Sequence, residues 1–189
     1  METFGHVKTV IAIILGLSIT HLLKGAAKLI QHPGRDKPYW IHLLWALYVF
    51  LLLVHFWWWE YHLNSIQRWV FPEYFFVITY ITIYYVLCAL LFPDDLRDYK
   101  GGFEEYFYSR KKWFFSVLAL SFVADVVDTL IKGKTYFLQF RLEYPLRNVS
   151  HILLCLAALW VKDKRFHAAL VILFILYELS YILRLFLSV

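Results

Sequence analysis

Residues 40–59 run Trp40-Ile41-His42-Leu43-Leu44-Trp45-Ala46-Leu47-Tyr48-Val49-Phe50-Leu51-Leu52-Leu53-Val54-His55-Phe56-Trp57-Trp58-Trp59, without one Asp, Glu, Lys or Arg. A helix of that length rises about 30 Å, the thickness of a bilayer's hydrocarbon core. The stretch predicts a transmembrane helix whose far end sits in an interfacial belt of tryptophans. Working outward, five more segments predict spans: Thr9–Ile30, Tyr74–Phe92, Trp113–Ile131, Asn148–Val161 and Phe166–Leu187. The fifth is short, so it tilts little or borrows its flanks. Breakers separate them at Pro33-Gly34, Pro72, Pro93, Gly101-Gly102 and Pro145.

The whole chain agrees with that stretch. Of 189 residues, 61% are apolar, 21% aromatic and only 17% charged, a balance that departs from soluble domains and excludes disorder. The expected fold class is all-α: a polytopic transmembrane helical bundle of about six spans, forming a single integral membrane domain over residues 1–189. The residues from Met1 to Lys8 do not read as a cleavable signal, since the apolar run after them continues as the first span. Cys88 and Cys155 both fall inside apolar runs, so a disulfide framework is not expected.

The net charge of +5 fits topology better than nucleic-acid binding. No basic groove with interleaved aromatics belongs to a water-exposed domain. Placing the N-terminus outside puts 12 Lys and Arg on the inner side and 7 on the outer, which favours N-out and C-out. Two connections are longer than turns. Pro93 to Lys112 sets Phe103, Tyr106 and Phe107 among charges and predicts an interfacial amphipathic helix before span four. Lys132 to Arg147 alternates Tyr136, Leu138, Phe140, Leu142 and Tyr144 with polar residues, predicting an extended outer loop before span five.

The chain resembles a group of small bacterial multi-span membrane proteins to which no activity is assigned. The likeness rests on Gly16-Leu17-Ser18-Ile19-Thr20-His21-Leu22-Leu23, on His42-Leu43-Leu44-Trp45 followed by Phe56-Trp57-Trp58, and on Arg110 before Trp113-Phe114-Phe115. It covers most of the chain and implies a multi-span protein of a bacterial inner membrane, without a chemistry. His55 departs from the group's pattern, in which Gln precedes Phe-Trp-Trp.

Ionisable groups at membrane depth carry the functional expectation. Each costs about 2.5–3.5 kcal/mol near the bilayer centre, so such groups turn inward and find partners. His21, Asp125, Asp128 and Glu178 are the expected proton or cation pathway, with Lys24, His55, His151 and Arg184 as a secondary polar cluster. Ser121, Asp125, Asp128 and Lys132 form one helical stripe, and Asp125 with Asp128 lie about 4–9 Å from the end of their span. Glu178 shares a face with Phe174, Ile182 and His167. Ala12, Gly16 and Thr20 offer a small-residue stripe for close helix contact. These stripes predict a polar seam joining spans one, four and six.

The bland alternatives are that the aspartates pair with Arg184, Lys132 or backbone donors, that His21 is a hydrogen-bonded core histidine, and that Lys24, Lys28 and Arg184 snorkel. The permeation of protons or small cations is the leading expectation. A haem- or metal-binding redox protein using His55 and His151 is the alternative, with His151 and Cys155 a bare pair of possible metal ligands. A sensory or assembly subunit that organises lipid or partner proteins, with residues 132–147 as its contact surface, is the third; in each case the expected partners are the lipid bilayer and further copies of the chain in a homo-oligomer. No Walker loop, dinucleotide turn, nucleophile elbow or zincin motif is present, so an enzyme is the least supported class.

Overall fold

A computed structural model describes residues 2–32, 34–66 and 68–186. Pro33 and Leu187, which the sequence reading used as a breaker and a span end, lie outside them. Among the described residues seven helices follow one another: α1 (Glu2–Gln31), α2 (Trp40–Trp59), α3 (Phe71–Leu91), α4 (Phe103–Ile131), α5 (Lys134–Gln139), α6 (Glu143–Trp160) and α7 (Lys164–Phe186), with a 3-10 turn at Glu60–Ser65. Among the described residues there is no strand. Five of the helices, α1, α2, α3, α4 and α7, are long and apolar enough to cross a membrane.

The helix ends follow local chemistry. Val70 is extended before Pro72, and its N–H donates to the Glu73 carboxylate at 3.3 Å, capping the start of α3. Gly102 opens α4 at φ +67, where a Cβ would stand 2.7 Å from the Lys37 carbonyl oxygen. That carbonyl accepts the Phe103 N–H at 3.1 Å.

Two expected connections differ. No separate interfacial helix precedes span four, because residues 103–131 contain no Gly or Pro and form one continuous helix. Phe103, Tyr106 and Phe107 are buried, not spread on a surface. The expected extended loop is instead α5, a tight turn with Arg141 at φ 52, and the start of α6. The alternating aromatics contained a subset spaced by four, Tyr136, Phe140 and Tyr144, and the helical register gathers these around Trp59 at ring separations of 5.8, 5.0 and 6.3 Å. Leu138 and Leu142 are left exposed.

Packing pairs α1 with α3 and α2, α4 with α6 and α3, and α7 with α2. Helix α6 runs antiparallel to α4 over about 20 Å. Near one end its Arg147 reaches Asp125 of α4, and at the other Lys111 of α4 donates to the carbonyls of Ala158, Leu159 and Val161 at 2.9, 3.2 and 2.5 Å. The small-residue stripe on α1 faces outward: Ala12, Gly16 and Thr20 are exposed, and a Cβ on Gly16 would meet nothing within 4 Å. Helix α1 is held instead by Val7, Ile11, Leu15, Ser18 and Leu22, whose bulk fills the groove that a small-residue contact would close.

Midway along the bundle Trp45 meets Tyr48, Phe115 and Phe174 edge to face at 5.7, 5.2 and 5.5 Å. All four are fully buried. Polar groups collect on either side of this layer.

Candidate functional site

The end of the bundle where α2, α4 and α7 finish holds a buried network of ionisable side chains. The helical stripe on α4 positions its first half. Asp128 and Lys132 are one turn apart, and the Lys132 ammonium lies 2.5 Å from Asp128 Oδ2 and 3.0 Å from Glu60 Oε1. Glu60 gets there because α2 does not splay at Trp59 but tightens into the 3-10 turn, folding the carboxylate back over α4. The Trp59 ring covers the ammonium at 5.6 Å. All three charged side chains are 4% exposed or less.

The second half centres on Arg147 of α6. Its guanidinium lies 3.4 Å from Glu178 Oε2 on α7 and 3.8 Å from Asp125 Oδ2 on α4, with the Tyr181 ring 4.6 Å away. The other Glu178 oxygen meets His55 Nδ1 at 2.5 Å. Asp125 also receives the Tyr144 hydroxyl at 2.8 Å, the Asn148 amide at 3.2 Å and the Tyr80 hydroxyl at 3.4 Å. Tyr144 accepts in turn from Thr129 at 2.6 Å. Asp125 and Asp128, one turn apart on α4, make the two halves one cluster of four carboxyl groups, two cations and an imidazole.

Of the sequence-predicted residues, Asp125, Asp128, Glu178 and His55 meet here, and Lys132 is the aspartate partner that the bland alternative named. His21 does not join them. Its Nε2 lies 2.8 Å from the Phe92 carbonyl oxygen at the opposite end, where Lys24 is exposed. The seam therefore joins α2, α4, α6 and α7 rather than α1, α4 and α7, because α1 packs on α3 and α2. Arg184 is also elsewhere, paired with Glu143 at 2.5 Å on the exposed surface. His151 neighbours the cluster, donating Nδ1–H to the Arg147 carbonyl at 2.8 Å while Phe174, Phe122 and Tyr177 enclose its ring.

The haem alternative needs His55 and His151 facing one another across a gap, whereas each ring meets a different partner. His151 and Cys155 are both buried on α6. No group of three or more His, Cys, Asp or Glu side chains among the described residues is arranged to hold a metal ion.

Sequence reasoning missed Arg147, Glu60 and Tyr144. Tyr144, Asn148, His151 and Cys155 repeat the four-three-four spacing of the α4 stripe, with Arg147 beside them. Read at helical period, that spacing would have placed Arg147 against Asp125. Glu60, one residue after the tryptophans, carries no such signal. Comparison with known protein families, with characterised proteins and with solved structures returns no match.

Proposed function

We propose that this chain is an integral membrane protein that binds and exchanges protons through its buried carboxyl network. The single observation behind the reading is the charge ratio: among the described residues, Glu60, Asp125, Asp128 and Glu178 share only Lys132 and Arg147 as fixed cations. Four ionised carboxylates would leave two uncompensated negative charges away from water, at a cost of several kcal/mol each. Protons distributed among the carboxyls and His55 supply the missing charge. Among small cations we assign the proton, because a carboxyl or imidazole binds one singly, without a shared cage of ligands.

In this reading α6 is the fifth of six crossings, following α4 across the bilayer, and the network faces the outer side. The Trp45, Tyr48, Phe115 and Phe174 layer closes the far side, so protons enter and leave from one end in this conformation. Passage across requires that layer to open. Buried Tyr48 and Trp45, whose hydroxyl and indole N–H accept or donate no hydrogen bond among the described residues, are the polar atoms next in line.

The test is a pH titration of the purified protein by infrared difference spectroscopy, paired with proton flux in liposomes. The carbonyl-stretch band of protonated carboxyls should change with pH, shrink in Asp125→Asn and Glu178→Gln, and accompany flux that both variants lower. Superimposable carboxyl spectra in wild type and variants, with flux equal to that of empty liposomes, would overturn the reading.

A further inference from the structure

The opposite end of the bundle holds a cavity of about 590 Å³ between the last turns of α1, the loop at 34–37 and the loop at 93–103. Its walls are fixed by close packing. Gly25 lets the Phe92 ring lie against α1, since a Cβ there would stand 2.1 Å from the ring, and Gly102 lets the second loop close on Lys37. Six cations line it: Lys24, Lys28, Arg35, Lys37, Arg97 and Lys100. Three aspartates line it as well, but Asp36 is paired with Arg35 at 3.3 Å and Asp95 with Arg97 at 2.8 Å. Four lysines remain against Asp94, and none of the four makes an ion pair among the described residues.

The cavity lies where headgroups of one leaflet would sit. Trp40 begins α2 beside it with 52% of its surface exposed, and Leu23 and Ile30 of α1 are exposed at 55% and 80%. A basic pocket between membrane helices at that depth matches the chemistry that holds anionic headgroups. We propose that this pocket binds a phosphate-bearing anion of lipid-headgroup size, the phosphate oxygens among Lys24, Lys28, Lys37 and Lys100. The volume exceeds what a bare phosphate fills, which leaves room for the attached glycerol or similar group. The site stands apart from the carboxyl network and does not depend on its role.

Native mass spectrometry of the full chain in a non-ionic detergent tests this, with short-chain phosphatidic acid, short-chain phosphatidylcholine and glycerol phosphate as probes. Phosphatidic acid should be retained about tenfold more tightly than phosphatidylcholine. Lys28→Gln/Lys100→Gln should abolish the preference, while Lys134→Gln at the other end keeps it. Circular dichroism confirms that the variants fold. Glycerol phosphate competing with the lipid supports the site with a soluble phosphoester as its source. Lipid binding that glycerol phosphate does not displace supports it with the bilayer as source. Absence of any preference together with no glycerol phosphate binding, or a preference that survives in the double variant, would overturn it.

Discussion

Arg147 of α6 and Glu178 of α7 stand 3.4 Å apart, both buried, and tie together two helices that pack on different partners, α4 and α2. Removing the guanidinium leaves Glu178 and Asp125 in the core with one cation fewer. Breaking such a buried pair from one side costs about 3–5 kcal/mol. Arg147→Met should therefore lower the thermal midpoint sharply in detergent, and Arg147→Met/Glu178→Gln should recover much of the loss. A double variant no more stable than the single one would show that the arginine acts through packing on Tyr181 rather than through charge.

Lys132 offers the same test in the other half. It is the sole cation within reach of both Glu60 and Asp128 among the described residues. Lys132→Met should destabilise by about 3–5 kcal/mol, and adding Asp128→Asn should restore part of it. Double-mutant cycles on Lys132 and Arg147 should also show coupling between the halves, since Asp125 and Asp128 are one turn apart.

How far the sequence reached depends on where a residue's partner comes from. The bounds of α2, Trp40 to Trp59, were legible because an uncharged run of bilayer length stops at a belt of tryptophans. The Asp125, Asp128 and Lys132 stripe was legible because all three lie on one helix. Glu60 and Arg147 were not. Their roles come from the third dimension: a 3-10 turn that folds Glu60 back, and a helix start at Glu143 that puts Arg147 inside rather than in an outer loop. The aromatics at 136–144 satisfied periods of two and four at once, and only packing around Trp59 selected the helical one. His21 shows the converse, since depth sorting put it on the path while α1 packs elsewhere.

Lys111 makes a different kind of prediction. Its ammonium gathers three carbonyls at the C-terminal end of α6, groups that have no partner within that helix. The charge also complements the negative end of the helix dipole. Lys111→Met keeps the stem's packing but orphans the Ala158 and Leu159 carbonyls, while Val161 keeps the His167 ring as a partner at 2.9 Å, at a cost of about 1–3 kcal/mol. Hydrogen exchange should quicken in the last turn of α6 while the turn around Arg147 stays protected.

Glu143 and Arg184 form an ion pair on the exposed surface, apart from the buried network. A hydrogen bond from Arg184 holds the Glu143 carboxyl below the usual carboxylate range. A depressed folded-state value means the stabilisation is complete above the unfolded value of about 4.3 and is lost as pH falls through the lower one. Glu143→Gln should lower stability slightly at neutral pH, by a small, salt-screened amount, and converge on the wild type in acid, where the wild type has lost the same contribution. A neutral-pH infrared signal that survives in Glu143→Gln therefore belongs to other carboxyls.

Gly25 is the last position where a single atom decides the outcome. Glycine inside a helix normally costs up to about 1 kcal/mol relative to alanine, so Gly25→Ala would stabilise α1 if space allowed. It does not, because the new Cβ would stand 2.1 Å from Phe92 Cγ, the root of the ring rather than its mobile edge. Phe92 is itself held by ring contacts with His42 and Phe103 at 5.7 and 5.8 Å, and its carbonyl meets His21. Gly25→Ala should thus destabilise by about 1–3 kcal/mol through overpacking and loosen the wall of the basic cavity. In a Phe92→Ala background the clash disappears, and the same change should become neutral or stabilising by up to about 1 kcal/mol. Thermal midpoints of the four proteins in one detergent decide it: if Gly25→Ala has the same effect in both backgrounds, the ring contact is not what selects glycine there.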